Sequence, residues 1–176
     1  LDQLTVYVSE KKGRVKLAPL STIRFNGPLP DYFHPDTLKE IVAARRFFLE
    51  HRPDSGAGAI IMASLLHILH GNRPYALSRR SHPITPFAPT GPTEYRSLIE
   101  RLHKKVDRCR VAAEGIPDTQ SISFAQDVTK TWPEQVSNLD AIITSPPFFD
   151  STRFHTAKWM RLWFAGWNST DFTKRP

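Results

Sequence analysis

The 176-residue sequence predicts an α/β fold in a single domain: a partial sheet with a helical insertion and an N-terminal β-hairpin. Three observations predict it. Residues 1–20 alternate apolar and polar side chains around a glycine turn; residues 35–115 carry apolar residues at helical spacing; residues 119–167 hold two short strand-like runs and then a tryptophan-rich helix. Helix, strand, connection, strand, helix is the order of an α/β sheet, whose ligands gather at the carboxyl ends of its strands.

In chain order, Leu4–Val8 and Arg14–Leu17 read as the two arms of the hairpin, with Lys12-Gly13 in its turn. A Pro- and Gly-rich loop follows. Thr37 to His51 then places Leu38, Ile41, Val42, Phe48 and Leu49 on one helical face, with Pro53 after its end. Ala59 to Gly71 is a second helix, apolar nearly all round and therefore expected to be buried, with Gly71 as its stop. The stretch 71–92 is too rich in proline for a helix or central strand, and a loop of that length is commonly functional. From Pro92 to Gly115 the apolar stripe Tyr95, Leu98, Ile99, Leu102, Val106 and Cys109 marks the clearest helix, with Thr93 as cap and Gly115 as stop; Cys109 reads as core. Ser121–Asp127 and Leu139–Ser145 read as short strands. In the last helix Trp159, Trp163 and Trp167 recur at i, i+4, i+8, a pattern of core packing.

Hydrophobic content of 40% and charged content of 23% are those of an ordinary globular chain. Lys and Arg number 24 against 17 Asp and Glu, a formal charge of +7, which favours a polyanionic partner, nucleic acid first and an anionic membrane surface second. The single cysteine excludes an intrachain disulfide framework and a cysteine-rich zinc site. The N-terminus lacks the pattern of a signal peptide, and no apolar run approaches the roughly 20 residues of a membrane span, so a reducing, cytoplasmic setting is expected.

The most informative stretch is "DAIITSPPFF". An apolar run ends in a hydroxyl, two prolines that cannot extend a sheet, and two aromatic rings. Such a strand end suits a flat heteroaromatic base bearing an exocyclic amine. Acceptors in line with the amine hydrogens, the Ser145 hydroxyl and a carbonyl held by Pro146-Pro147, would pull the nitrogen towards tetrahedral geometry and free its lone pair for attack on a methyl group. The diproline keeps those acceptors preorganised. Phe148 offers a face on which an extruded base can stack.

"DAIITSPPF" resembles the catalytic motif of the amino-methylating DNA methyltransferases, Ser/Asp/Asn-Pro-Pro-aromatic after an apolar strand, and its serine form resembles the cytosine-N4 branch. The likeness extends over most of the chain after about Tyr32, taking in "ILHGNRPYALSRRSHPITPFAP" and "KWMRLWFAGW". It implies a partial Rossmann-like methyltransferase sheet, Ser145, Pro146, Pro147 and Phe148 as catalytic residues, and S-adenosylmethionine as cofactor. Phe148 stands where Tyr is more frequent, keeping the ring and losing a hydroxyl. By the same likeness Asp127 and Thr144 would contact the cofactor, Asp127 accepting from its adenine amino group. On local grounds Asp127 could equally cap the turn that follows it. The implied partner is double-stranded DNA with a flipped base, in bacterial or phage restriction-modification.

The family's glycine-rich cofactor turn has one candidate here, Gly56 and Gly58 in "DSGAGAI". It follows a helix rather than a strand and reads as a helix-entry loop. The expectation is therefore an interior piece of such an enzyme, with the missing cofactor half upstream. In the proline-rich loop Arg73, Tyr75, Arg79, Arg80 and His82 suit phosphate contacts. The helix cations Arg101, Lys104, Lys105, Arg108 and Arg110 read instead as a solvated face. Two other readings stand beside this one: methylation of adenine N6 or of an amino group on an RNA base, and a non-catalytic nucleic-acid-binding remnant.

Overall fold

A computed structural model of the chain describes residues 1–23, 27–71, 73–80, 89–117, 121–127, 129–144, 158–168 and 170–172. Over these residues the protein is helical. Its elements are α1 (Asp2–Lys11), α2 (Pro35–Glu50), α3 (Gly56–Leu69), α4 (Leu98–Ala113) and α5 (Trp159–Phe164), with 3₁₀ turns at Lys12–Arg14, Ala18–Thr22 and Leu29–Tyr32. Among the described residues there is no strand; an isolated antiparallel bridge joins Arg80 and Thr90. The expected α/β fold and its partial Rossmann-like sheet are therefore overturned.

The N-terminal hairpin fails for a readable reason. Leu4, Val6 and Val8 would share one face of a strand, but as a helix the segment buries Leu4 and Val8 against α2 and turns Val6 to solvent, 57% exposed. A run this short satisfies either period, and the apolar side of α2 decides between them. Tyr7 fastens the choice: its hydroxyl donates to Glu50 at 2.7 Å and its ring meets Phe47 edge-on. Lys12-Gly13 becomes a 3₁₀ turn, after which Val15 re-enters the core.

Helix α2 is the hub. Pro35 occupies its first turn, where a missing N–H costs nothing, and Nδ1 of His34 accepts from Asp36 N. Leu38, Ile41, Val42 and Phe48 are buried as the periodicity predicts, while Leu49 is 40% exposed. Glu40 is buried yet polar, and its carboxylate joins three elements. One oxygen accepts from Lys12 Nζ and the Tyr95 hydroxyl, each at 2.9 Å, and the other from the first amide of α4, Leu98 N, at 2.9 Å. A carboxylate on a helix N-terminus is well placed in the field of that helix. Beside it, Thr37 Oγ1 donates to Arg96 O and accepts from Arg96 N, fixing the extended approach to α4.

The cap of α4 is Ser97, whose hydroxyl accepts from Glu100 N, rather than Thr93 four residues upstream. Gly115, at φ +82°, does end the helix in the left-handed conformation that glycine tolerates. The α4 stripe is only partly interior: Leu98 and Leu102 are buried, Ile99, Val106 and Cys109 half-buried, and Tyr95 is exposed ahead of the helix.

Helix α3 begins at Ser55, whose hydroxyl accepts from Gly58 N, so Gly56 and Gly58 lie in the first turn of a helix as read from the sequence. Its burial was overestimated. Leu65, Ile68 and Leu69 are interior, but Ile60 is 52% exposed and Ile61 and Met62 are half-covered, because α4 covers only one side of the N-terminal half. The carbonyl end of α3 is closed by α5: Arg161 donates from Nε to Leu66 O and from Nη2 to His70 O, both at 2.9 Å. Trp159 and Trp163 are buried, Trp159 edge-on to Tyr32, and Arg45 lies over the Trp163 ring while donating to the Trp163 carbonyl. Trp167 falls beyond the helix and packs on Phe172. Among the described residues no helix is long and apolar enough to cross a membrane.

Candidate nucleic-acid interface

The proline-rich loop after α3 is in part core. Ala76, Leu77 and Ser78 are buried, with Leu77 N donating to Ile68 O at 2.8 Å and Ser78 Oγ bonded to His70 Nδ1 at 3.0 Å. Arginines satisfy the carbonyls that this burial takes from water. Arg96 donates to Ala76 O and Ser78 O, and Arg101 to Pro74 O and Ala76 O. Arg79, expected on DNA, is committed likewise: Nη1 donates to Asp31 O, while Nε and Nη2 donate to Gly91 O and pinch the two ends of the loop together. Backbone bonds from Arg79 N to Tyr32 O and from Thr90 N to Arg80 O complete the closure. These guanidiniums therefore act as struts, Arg79 through all three of its nitrogens and Arg96 and Arg101 through Nη1.

The remaining loop residues divide. Arg73 and Arg80 are exposed, and His82 lies outside the described residues. Tyr75 is the one that joins a site. Its ring stacks on His67 of α3 at 5.2 Å between centroids, and its hydroxyl is hydrogen-bonded to His67 Nε2 at 3.1 Å. Facing this pair across a groove of about 600 Å³ are Lys104, Lys105 and Arg108 of α4, with Arg96, Arg101 and Tyr95 at one end. The groove holds five cationic side chains and one carboxylate, Glu100, which pairs with Lys104. Lys105 and Arg108 have no anionic partner among the described residues. Burial, reinforced by the charges of Lys105, Arg161 and Arg108, holds the His67 pKa below the usual histidine value. The ring is thus neutral near pH 7, set in a positive field.

The reading of the α4 cations as one solvated face needs dividing. Arg110 pairs with Glu114 and Arg101 braces the loop, whereas Lys104, Lys105 and Arg108 line the groove. The signal was available as the spacing 101, 104, 105, 108, one face of a helix; what it lacked was the opposing wall, which only the fold supplies.

The catalytic candidates Ser145, Pro146, Pro147 and Phe148 lie outside the described residues. Thr144, immediately before them, is exposed, as are Leu139, Ile142 and Ile143 at 50%, 67% and 98%. Asp127 caps its own turn: Oδ1 accepts from Thr129 N at 2.9 Å and from Thr129 Oγ1 at 2.7 Å, and these bonds lower its pKa. Asp127 and Thr144 line neither this groove nor the apolar seam between α3 and α4, and the glycines of "SGAG" are inside α3. No protein-family model, no curated protein sequence and no solved structure matches the chain.

Proposed function

We propose that the chain belongs to an S-adenosylmethionine-dependent DNA methyltransferase of the amino-methylating class, acting on cytosine N4. The observation that carries the reading is the sequence Asp140 to Phe148, "DAIITSPPF". S-adenosylmethionine is the methyl donor the motif implies. The chain's own contribution is to hold the acceptor amine: the Ser145 hydroxyl and a carbonyl beside Pro146-Pro147 accept from its hydrogens, and Phe148 stacks on the base. Exposure of Leu139 to Thr144, the residues leading into the motif, supports access by a large substrate. Adenine N6 and an RNA-base amine are the alternative acceptors.

The test is product analysis. A protein carrying the complete cofactor site is incubated with S-adenosylmethionine and unmethylated DNA, and the digested nucleosides are identified by mass spectrometry. N4-methylcytosine is expected, and Ser145→Ala and Phe148→Ala should each lower its formation about tenfold or more while DNA affinity changes little. Wild-type turnover in Ser145→Ala would refute the clamp. A second reading, nucleic-acid binding without chemistry, draws support from the basic groove, which is built without any residue of the motif. On that reading the chain binds DNA with steep salt dependence and is indifferent to Ser145→Ala.

A further inference from the structure

We propose that the groove between α4 and the Arg73–Ala76 turn grips the phosphodiester backbone of duplex DNA, through Lys104, Lys105 and Arg108 beside the Tyr75–His67 stack. The proposal rests on the nucleic-acid part of the reading above and not on the methyl-transfer chemistry. It also moves the contact surface from the loop arginines expected from the sequence to a helix face set aside as solvated.

Three features point to a phosphate backbone. The first is unspent charge. Arg79, Arg96 and Arg101 are each engaged in part by backbone carbonyls. Lys105 and Arg108 bond to nothing anionic among the described residues, and the single pair of Lys104 is with Glu100, itself 63% exposed and screened by water. The second is linear array. Residues 104, 105 and 108 lie on one side of α4 and, with Arg101, span about 10 Å of helix axis, a length over which a DNA strand presents about three phosphates. The third is lining chemistry. The wall opposite is Pro74, Tyr75 and His67, and the lining is dominated by cationic side chains, the groups that contact phosphate oxygens. The His67 ring stands beside these cations with its Nε2 bonded to the Tyr75 hydroxyl. Tyr75, Lys105, Arg108 and Arg161 are the charged or titratable groups that face it.

The experiment is fluorescence anisotropy with a short labelled duplex, without S-adenosylmethionine, over a salt series. The variant Lys104→Ala/Lys105→Ala/Arg108→Ala is compared with Arg14→Ala/Lys16→Ala/Arg46→Ala, which removes the same charge from exposed positions around α1 and α2. Circular dichroism verifies that both retain the wild-type helix content. The groove variant should bind about tenfold or more weakly and flatten the slope of log affinity against log salt by about 2 to 3; the control should stay within about twofold. Equal losses in both variants, or none in the groove variant, would overturn the proposal, as would tighter binding of an RNA duplex through the same residues. Failure here leaves formation of N4-methylcytosine by the wild type untouched. Failure of the chemistry, in turn, leaves the difference between the two variants intact.

Discussion

The helical body and the segment from Ile116 to Thr144 are built from similar materials and end differently. Both contain β-branched and aromatic residues. In the body, Ile41, Ile68, Trp159 and Phe164 are fully buried, whereas downstream Ile122, Phe124, Trp132, Ile142 and Ile143 are all exposed. The difference is one of range. A helix closes its hydrogen bonds within itself and needs a neighbour for one stripe only. A strand closes none of its own and exists only beside another strand. The segments 121–127 and 139–144 have strand composition and, among the described residues, no ladder to join.

Breaking the body at its centre should have the largest effect. Trp159→Ala removes a fully buried ring that meets Tyr32 edge-on, and should lower unfolding free energy by about 3–5 kcal/mol in a urea titration. Next comes Glu40→Ala, which strands the Leu98 amide and releases Lys12 and Tyr95; a loss of about 2–4 kcal/mol is expected, and Glu40→Gln, which keeps acceptors for part of the set, should lose less.

A smaller effect is expected from pH. The folded His67 pKa lies below the usual histidine value, so the unfolded state takes up its proton first as pH falls. The contribution is fully present above about pH 6.5 and declines as pH drops through that value towards the folded pKa. Because the ring is exposed, screening limits it to about a few tenths of a kcal/mol. Urea midpoints at about pH 7.5 and pH 5.5 should differ less in His67→Gln than in the wild type. The smallest effect belongs to the exposed segment. Ile143→Ser should change stability by no more than about 0.5 kcal/mol, and amides 139–144 should exchange with solvent almost unprotected. A loss comparable with that at Trp159 would mean that this segment has a packed partner after all.

The candidate site was legible in the sequence as chemistry and only partly as place. Tyr75 was singled out and does stand at the groove, and Asp127 turned out to cap its own turn, one of the two roles its position allowed. Arg79 shows why a basic loop misleads. A guanidinium beside buried carbonyls and one beside phosphate look identical in a sequence, because both demands are met by the same five donors. Which demand applies depends on whether neighbouring backbone is buried, as at Ala76, Leu77 and Ser78.

By itself the sequence determined the features that repeat within a few residues. These are the periodicity of α2, the glycine stop of α4, the glycine entry to α3, and the burial of Trp159 and Trp163. Tertiary structure alone decided what depends on partners distant in the chain. It made Leu4–Val8 a helix by offering it the side of α2, and among the described residues it left two strand-like runs without a ladder. It gave Glu40 three donors, from the Lys12 turn, from Tyr95 and from the first amide of α4, and set Lys104, Lys105 and Arg108 across from Tyr75. The physical reason is common to all four: burial and hydrogen-bond satisfaction are properties of pairs of surfaces, and local pattern specifies only one member of each pair.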